Sequence, residues 1–190
     1  TEGEGGHMEK VVIAVLLIVL LAVWMISVRQ KLAAVNENIN NAMNQIGVQL
    51  DVCFDMLMPL IELTGVHAAR ERETLEKLAV AGRREITAKS TPEEVLGQEK
   101  IIAEALELLT AVADRNSSLK ATEDYRKYMD AVRCYGKMVH TSSLIYDDFV
   151  GKLNKSIGRF PTSLIAGLLG FRQHEYLEAL EKEDIGNKSE

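Results

Sequence analysis

The chain of 190 residues contains few cysteines, few prolines and few aromatic residues, and its acidic residues outnumber its basic ones. The two cysteines, Cys53 and Cys134, lack the paired spacing of a metal site or a disulfide framework, and we interpret both as buried free thiols. A formal net charge of −6 gives no support to nucleic-acid binding, which needs a basic face, so we expect no nucleic-acid partner. Three prolines and 5% aromatic residues, among abundant helix formers, predict an all-α fold.

The sequence also lacks the motifs of common catalytic sites. It has no glycine-rich phosphate loop and no nucleophile elbow, and no Glu-x-x-His pair of a di-iron bundle occurs after Met8. His67 and Glu71 have the spacing of a helical ion pair, and His140 precedes Asp147 by two turns. We therefore expect no catalytic residues, no metal, no cofactor and no small-molecule substrate, with a metal-dependent enzyme as the least favoured alternative.

An uncharged apolar run, Val11–Val28, is the strongest feature that the sequence does contain, and Ser27 is its one polar side chain. As a helix rising ~1.5 Å per residue, the run would be about 27 Å long, close to the thickness of a bilayer's hydrocarbon core. It is longer than the apolar part of a signal peptide and lacks a small-residue cleavage site. The pattern predicts an uncleaved, single-pass transmembrane anchor within residues 8–31.

The residues around the anchor suggest an orientation. Lys10 precedes the run, and Arg29 and Lys31 follow it, so the positive-inside bias favours a cytoplasmic domain. Residues 1–7 are typical of a vector remnant. At the other end, residues 181–190 are predicted to form a disordered acidic tail.

Apolar residues three and four apart after the anchor predict long amphipathic helices. Their approximate ranges are 32–60, 66–87, 92–114 and 122–160, followed by a short amphipathic end over 161–180. Short connections make successive helices antiparallel, so residues 32–180 are expected to form an up-down four-helix bundle. Pro59 and Gly65 predict a break, with a chain reversal favoured over a kink. Thr91-Pro92-Glu93-Glu94 is typical of a helix start with a capping box.

Two surfaces are candidates for binding a membrane or a partner. The end segment carries an apolar stripe flanked by arginines: Arg159, Phe160, Pro161, Leu164, Ile165, Leu168, Leu169, Phe171 and Arg172. Such a stripe more often caps one end of a bundle, and interfacial docking is the functional alternative. Asn36, Asn40 and Asn44 share one helix face, which indicates either a polar contact surface or an ordinary solvated face.

From the anchor to about Leu180 the chain resembles the LemA family of bacterial membrane-anchored helical proteins. The residues that carry the resemblance are Phe160-Pro161, Ile165-Ala166-Gly167-Leu168, Gly170-Phe171, Asn41-Ala42, Gln45-Ile46, Val48-Gln49-Leu50 and Leu119-Lys120-Ala121. The chain departs from the family pattern at several polar positions. Gly47 replaces an Asp, Ser143 an Arg and Asp147 an Asn. If those positions bind something in relatives, this chain is a specialised branch.

The resemblance implies a cytoplasmic bundle behind one span of the bacterial inner membrane or of a derived organelle membrane, such as the magnetosome membrane where some relatives occur. It implies no reaction. The leading hypothesis is a non-enzymatic membrane-anchored scaffold, bound to the bilayer through residues 11–28, that organises the membrane or an unknown membrane or cytoplasmic protein partner. The alternative is an envelope or stress signalling adaptor that controls a partner membrane protein or a protease.

Overall fold

A computed structural model describes residues 2–66 and 68–178, with side chains from Met8 onward. Every regular element in this part of the chain is an α-helix, which confirms the all-α prediction. The six helices are α1 Glu2–Gly65, α2 Ala69–Gly82, α3 Pro92–Arg115, α4 Ser117–Ala121, α5 Glu123–Ile157 and α6 Thr162–Leu168. The predicted acidic tail and the predicted His67 ion pair lie outside the described residues.

Helix α1 is a single helix of 64 residues that contains both the apolar run and Pro59. The break predicted between Pro59 and Gly65 comes at the end of that interval, because α1 continues through Pro59 to Gly65. Proline removes one backbone hydrogen bond and crowds the preceding turn. The neighbouring Leu57, Leu60 and Ile61 are fully buried, and tertiary packing of this kind holds a helix that local propensity alone would interrupt.

The chain reverses after Gly65, as the sequence favoured, and α2 runs antiparallel to α1. Arg83, which follows α2, forms an ion pair with Asp55 at 2.8 Å. Ile86, further along, lies against Gly47, so its partner is earlier in α1. Helix α2 is shorter than the predicted range of 66–87, because residues 83–91 leave the helix and pass along α1 in an irregular conformation.

Helices α3 and α5 continue the alternation of direction. Helix α3 starts at the predicted capping box, in which the Thr91 N–H donates to Glu94 Oε2 at 2.9 Å. Gln98 Nε2, in the first turns of α3, donates to the Arg84 carbonyl at 2.7 Å. Helix α5 returns along α3, where the Tyr125 hydroxyl lies 3.5 Å from the Leu109 carbonyl. The one-turn helix α4 joins the two.

The chain divides into two compact units. The first consists of Thr1–Glu37 and Val150–His174, and the second of Asn38–Phe149 and Glu175–Glu190. The second unit has a large apolar core that includes Ile46, Leu50, Phe54, Leu75, Val95, Leu109, Val132 and Val139. The first unit buries Leu32, Val150, Leu153, Ile165 and Ala166. The apolar run and the end segment therefore belong to the same unit.

The two cysteines differ in burial. Cys53 is fully buried in the second unit, as predicted, whereas Cys134 is exposed. The prediction of a buried Cys134 is wrong because the buried face of α5 passes through Met129, Val132 and Val139, and residue 134 lies off that face.

Candidate membrane-contact site

The apolar run is exposed along most of its length. Helix Met8–Gly65 is long and apolar enough to span a membrane, and its most apolar window has a mean hydropathy of 3.2 with 6% of it buried. Leu20 and Ile26, for example, are 69% and 56% exposed. A core helix of a soluble domain would bury these side chains.

One face near the C-terminal end of the run is partly covered. Trp24, Val28 and Leu32 are four residues apart and so lie on one face of α1; Trp24 and Val28 are half-buried and Leu32 is buried. The unit that contains this face also contains Val150–His174. The partly covered face of the run and the end segment therefore belong to the same unit.

The end segment divides its apolar residues between two sides. Ile165 and Ala166 are buried, and Leu169 and Phe171 are half-buried. Phe160, Leu164 and Leu168 are 81%, 69% and 80% exposed, and we call these three residues the outer face. The predicted single stripe is therefore split, because Leu164 and Leu168 are one turn apart on the side of α6 opposite the buried residues. Arg159, Pro161 and Arg172 are also exposed.

A Schellman motif ends helix α6 and turns the chain back. The Gly170 N–H donates to the Gly167 carbonyl at 3.3 Å, and the Phe171 N–H donates to the Ala166 carbonyl at 3.0 Å. Gly170 has φ of 78°, a conformation that side chains disfavour. These bonds explain the sequence from Ala166 to Phe171, since glycine is needed at the turn and an apolar residue follows it.

Helix α5 holds the segment that follows α6, residues 171–176, which we call the returning segment. In the first unit, Asn154 Nδ2 donates to the His174 carbonyl at 2.8 Å, and the His174 N–H donates to Asn154 Oδ1 at 3.0 Å. In the second unit, the Tyr146 hydroxyl donates to the Glu175 carbonyl at 3.3 Å. Desolvation by burial lowers the pKa of His174 and raises that of Tyr146 to about 12. The predicted amphipathic end over 161–180 is thus helical over Thr162–Leu168 and irregular over the returning segment.

The cations of the first unit are spread over two segments that lie far apart in the sequence, and we treat them as one group. Residues 10–36 and 150–174 contain seven of the 22 Lys and Arg residues and none of the 28 Asp and Glu residues. Both segments belong to the first unit. No single stretch is strongly basic, so a search along the sequence misses the group. The one feature of the sequence that indicates this group is that both segments lack acidic residues.

The second predicted surface shows a mixed environment. Asn36 and Asn40 are half-buried on α1, and Asn44 is exposed. Only Asn44 has the accessibility of a fully solvated contact residue.

The alternative metal sites find little support in the described part of the chain. Among residues 2–66 and 68–178, no three His, Cys, Asp or Glu side chains are placed to hold a metal ion. The Asp147 carboxylate instead accepts the N–H groups of Leu177 at 2.8 Å and Glu178 at 2.9 Å. His140 and Asp147 line a cavity of about 30 Å³, which has room for water but not for a metabolite.

Comparison with protein-family models gives a match over most of the chain. The family model described as the LemA family matches residues 42–188. No curated protein matches the chain. The matched range includes the outer face, Asn154 and the Schellman motif, and the apolar run precedes it.

Proposed function

The chain belongs to the LemA family, and on this premise we propose that it is a non-enzymatic, membrane-anchored helical scaffold that contacts the bilayer at two places. The first contact is the apolar run Val11–Val28, which spans the membrane. The second is the outer face, which rests in the interfacial layer beside the point where the run leaves the hydrocarbon.

One observation carries the proposal: three large apolar side chains are exposed in the unit that contains the apolar run. Trp24 and Val28, which are half-buried in that unit, belong to the last turns of the run. Because the end segment belongs to the same unit as these turns, we infer that it lies at the level of the lipid–water boundary. Full burial of a large apolar side chain contributes about 1.5–3 kcal/mol, so partial insertion of Phe160, Leu164 and Leu168 together would favour docking by a few kcal/mol.

The rest of the chain supports a scaffold rather than a catalyst. We interpret α1, α2, α3 and α5 as an up-down four-helix bundle, with α4 and α6 as one- and two-turn additions. The reversals at Gly65 and at residues 83–91 and the return of α5 along α3 support this reading. The exposed faces of these helices would be the surface that a membrane or cytoplasmic protein partner contacts.

We place the protein in the bacterial inner membrane or a membrane derived from it, of which the magnetosome membrane is an example, with the bundle in the cytoplasm. The charge bias around the anchor supports this orientation, because Arg29 and Lys31 follow the run and Lys10 alone precedes it.

The test uses the full chain in proteoliposomes with a fluorescent label at the outer face. Leu168→Cys is combined with Cys134→Ser, so that the exposed native thiol is removed and the buried Cys53 is the remaining one. The label is an environment-sensitive dye, and the lipids carry a quencher at the headgroup or along the acyl chain. We expect quenching by a shallow quencher at position 168.

The matched control is Val80→Cys in the same background, because Val80 is an apolar residue of the second unit that is 68% exposed. We expect its label to remain in water and escape lipid quenching. If the label at position 168 is quenched no more than the label at position 80, the outer face does not dock and the proposal fails.

A further inference from the structure

We propose that the outer face and the cations beside it form a binding site for anionic phospholipid headgroups, so that docking depends on the charge of the bilayer. This inference rests on the proposed function, because it names the lipid class that the same surface binds.

The first step is the segregation of charge. The chain as a whole has a net charge of −6, yet residues 10–36 and 150–174 contain no acidic residue. Lys10 lies at the far end of the apolar run. The remaining cations of these two segments lie on the domain side of the run, in the unit that contains the outer face. Solubility depends on net charge and does not require the cations to lie in these two segments.

The second step is position along the chain. Arg29 and Lys31 directly follow the apolar run. Arg159 directly precedes Phe160, and Arg172 directly follows Phe171. Lys155, near the end of α5, precedes Arg159 by four residues. All five side chains are exposed. The cations therefore bracket each apolar segment at its polar boundary, where the headgroups of a bilayer lie.

The third step is chemistry. Arginine presents a planar fork of donors that binds phosphate oxygens in a bidentate way, and it keeps its charge at any physiological pH. Basic residues next to a membrane-inserted segment are attracted to anionic leaflets, and this attraction decays within a Debye length of about 8 Å at physiological salt. Apolar insertion and charge attraction are the two signals whose combination gives stable interfacial binding.

The occupant to which these observations point is the bilayer that holds the anchor. The site is continuous with the membrane span, so lipid headgroups are present there at high local concentration. An acidic protein segment would satisfy the charges but would leave Phe160, Leu164 and Leu168 in water.

The experiment uses the labelled Leu168→Cys, Cys134→Ser chain in vesicles of phosphatidylcholine alone and of phosphatidylcholine with one quarter phosphatidylglycerol. We expect stronger quenching at position 168 in the anionic vesicles, and loss of the difference in 1 M salt, where the Debye length falls to about 3 Å. Arg159→Gln with Arg172→Gln should lower the ratio of docked to undocked protein in anionic vesicles by roughly thirtyfold.

The matched control is Arg70→Gln with Arg126→Gln, since both arginines are exposed in the second unit. We expect this pair to leave quenching unchanged, and an unchanged circular dichroism spectrum shows that each variant is folded. Equal quenching in neutral and anionic vesicles would overturn the charge inference while the docking proposal stands. Absence of quenching in both would reject docking itself. A charge dependence that is undiminished in Arg159→Gln with Arg172→Gln would also overturn the assignment.

Discussion

Asn154 forms two hydrogen bonds with the backbone of His174: its Nδ2 donates to the His174 carbonyl at 2.8 Å, and its Oδ1 accepts the His174 N–H at 3.0 Å. One side chain thus satisfies both polar groups of a residue that lies outside any helix. Since His174 is half-buried, water cannot fully replace Asn154 as a partner. Asn154 therefore fixes the returning segment to α5. Because the returning segment follows α6 directly, these bonds also restrain the position of the outer face.

Asn154→Ala should release the returning segment. The substitution leaves two half-buried backbone groups unpaired, and we expect a loss of about 1–3 kcal/mol in the free energy of unfolding. Hydrogen exchange should accelerate at residues 171–176. Ser156→Ala is the control, because Ser156 Oγ donates to the Lys152 carbonyl of its own helix. Equal protection of the returning segment in wild type and Asn154→Ala would show that Asn154 does not hold it.

The half-buried His174 should make the stability of the protein depend on pH. Burial lowers the pKa of His174 below its ordinary value of 6.5. Above pH 6.5 both the folded and the unfolded chain carry neutral histidine, and the shift has no effect. As the pH falls below 6.5, the unfolded chain takes up the proton first, so the free energy of unfolding decreases.

Urea unfolding of the full chain in detergent at pH 7.5 and pH 5.5 tests this dependence. His174→Gln removes the titration while keeping a polar side chain, so its loss of stability between the two pH values should be smaller than that of wild type. An identical pH dependence in both chains would refute the role of His174.

The sequence predicts those features that depend on local patterns. The apolar periodicity identifies α3 and α5, and Thr91 with Glu94 marks the start of α3 correctly. These signals are local because a helix buries one face and a cap satisfies the N–H groups of its own first turn.

Features that depend on distant packing could not be predicted in the same way. Pro59 predicts a break, but burial of its neighbours keeps α1 intact. Leu164 and Ile165 look equivalent in sequence, yet one is 69% exposed and the other 9%. Arg29 and Arg159 belong to one unit although they are far apart in the sequence.

Gly47 illustrates how a distant contact explains a departure from the family pattern. A Cβ atom at this position would lie 2.2 Å from the Ile86 carbonyl oxygen, whereas a Cβ atom at Gly97 would meet nothing within 4 Å. An aspartate therefore cannot replace Gly47 while residues 83–91 follow their observed path.

Gly47→Ala should accordingly destabilise the protein, because the backbone of Ile86 must move, and we expect a cost of about 1–3 kcal/mol. Gly97→Ala is the matched substitution inside α3 and should stabilise by roughly 0.5–1 kcal/mol, the usual gain of alanine over glycine in a helix. Thermal unfolding compares the two. A stabilising Gly47→Ala would mean that the close approach of Ile86 is absent in solution.

Two buried glutamines offer a contrast in hydrogen bonding. Gln49 Oε1 is buried without a partner, whereas Gln98 donates to the Arg84 carbonyl at 2.7 Å. Gln49→Met replaces an unsatisfied polar group by an apolar one of similar length and should stabilise by about 1 kcal/mol. Gln98→Met leaves the Arg84 carbonyl unpaired and should destabilise by about 1–3 kcal/mol. Opposite shifts in the urea midpoint would support this reading, and a destabilised Gln49→Met would reveal a partner for Gln49.

The two thiols should differ sharply in reactivity. Burial, followed by the nearby charge of Glu99, raises the pKa of Cys53 to about 11, while Cys134 is exposed. A thiol with such a pKa is ionised to less than about one part in a thousand at pH 7.5, and the thiolate is the species that reacts. A maleimide reagent should therefore modify one thiol per folded chain at pH 7.5, and mass spectrometry should locate it at Cys134. The Cys134→Ser chain should remain unmodified until urea exposes Cys53. Rapid modification of folded Cys134→Ser protein would show that α1 and α5 separate where Cys53 Sγ lies 3.9 Å from the Val132 carbonyl.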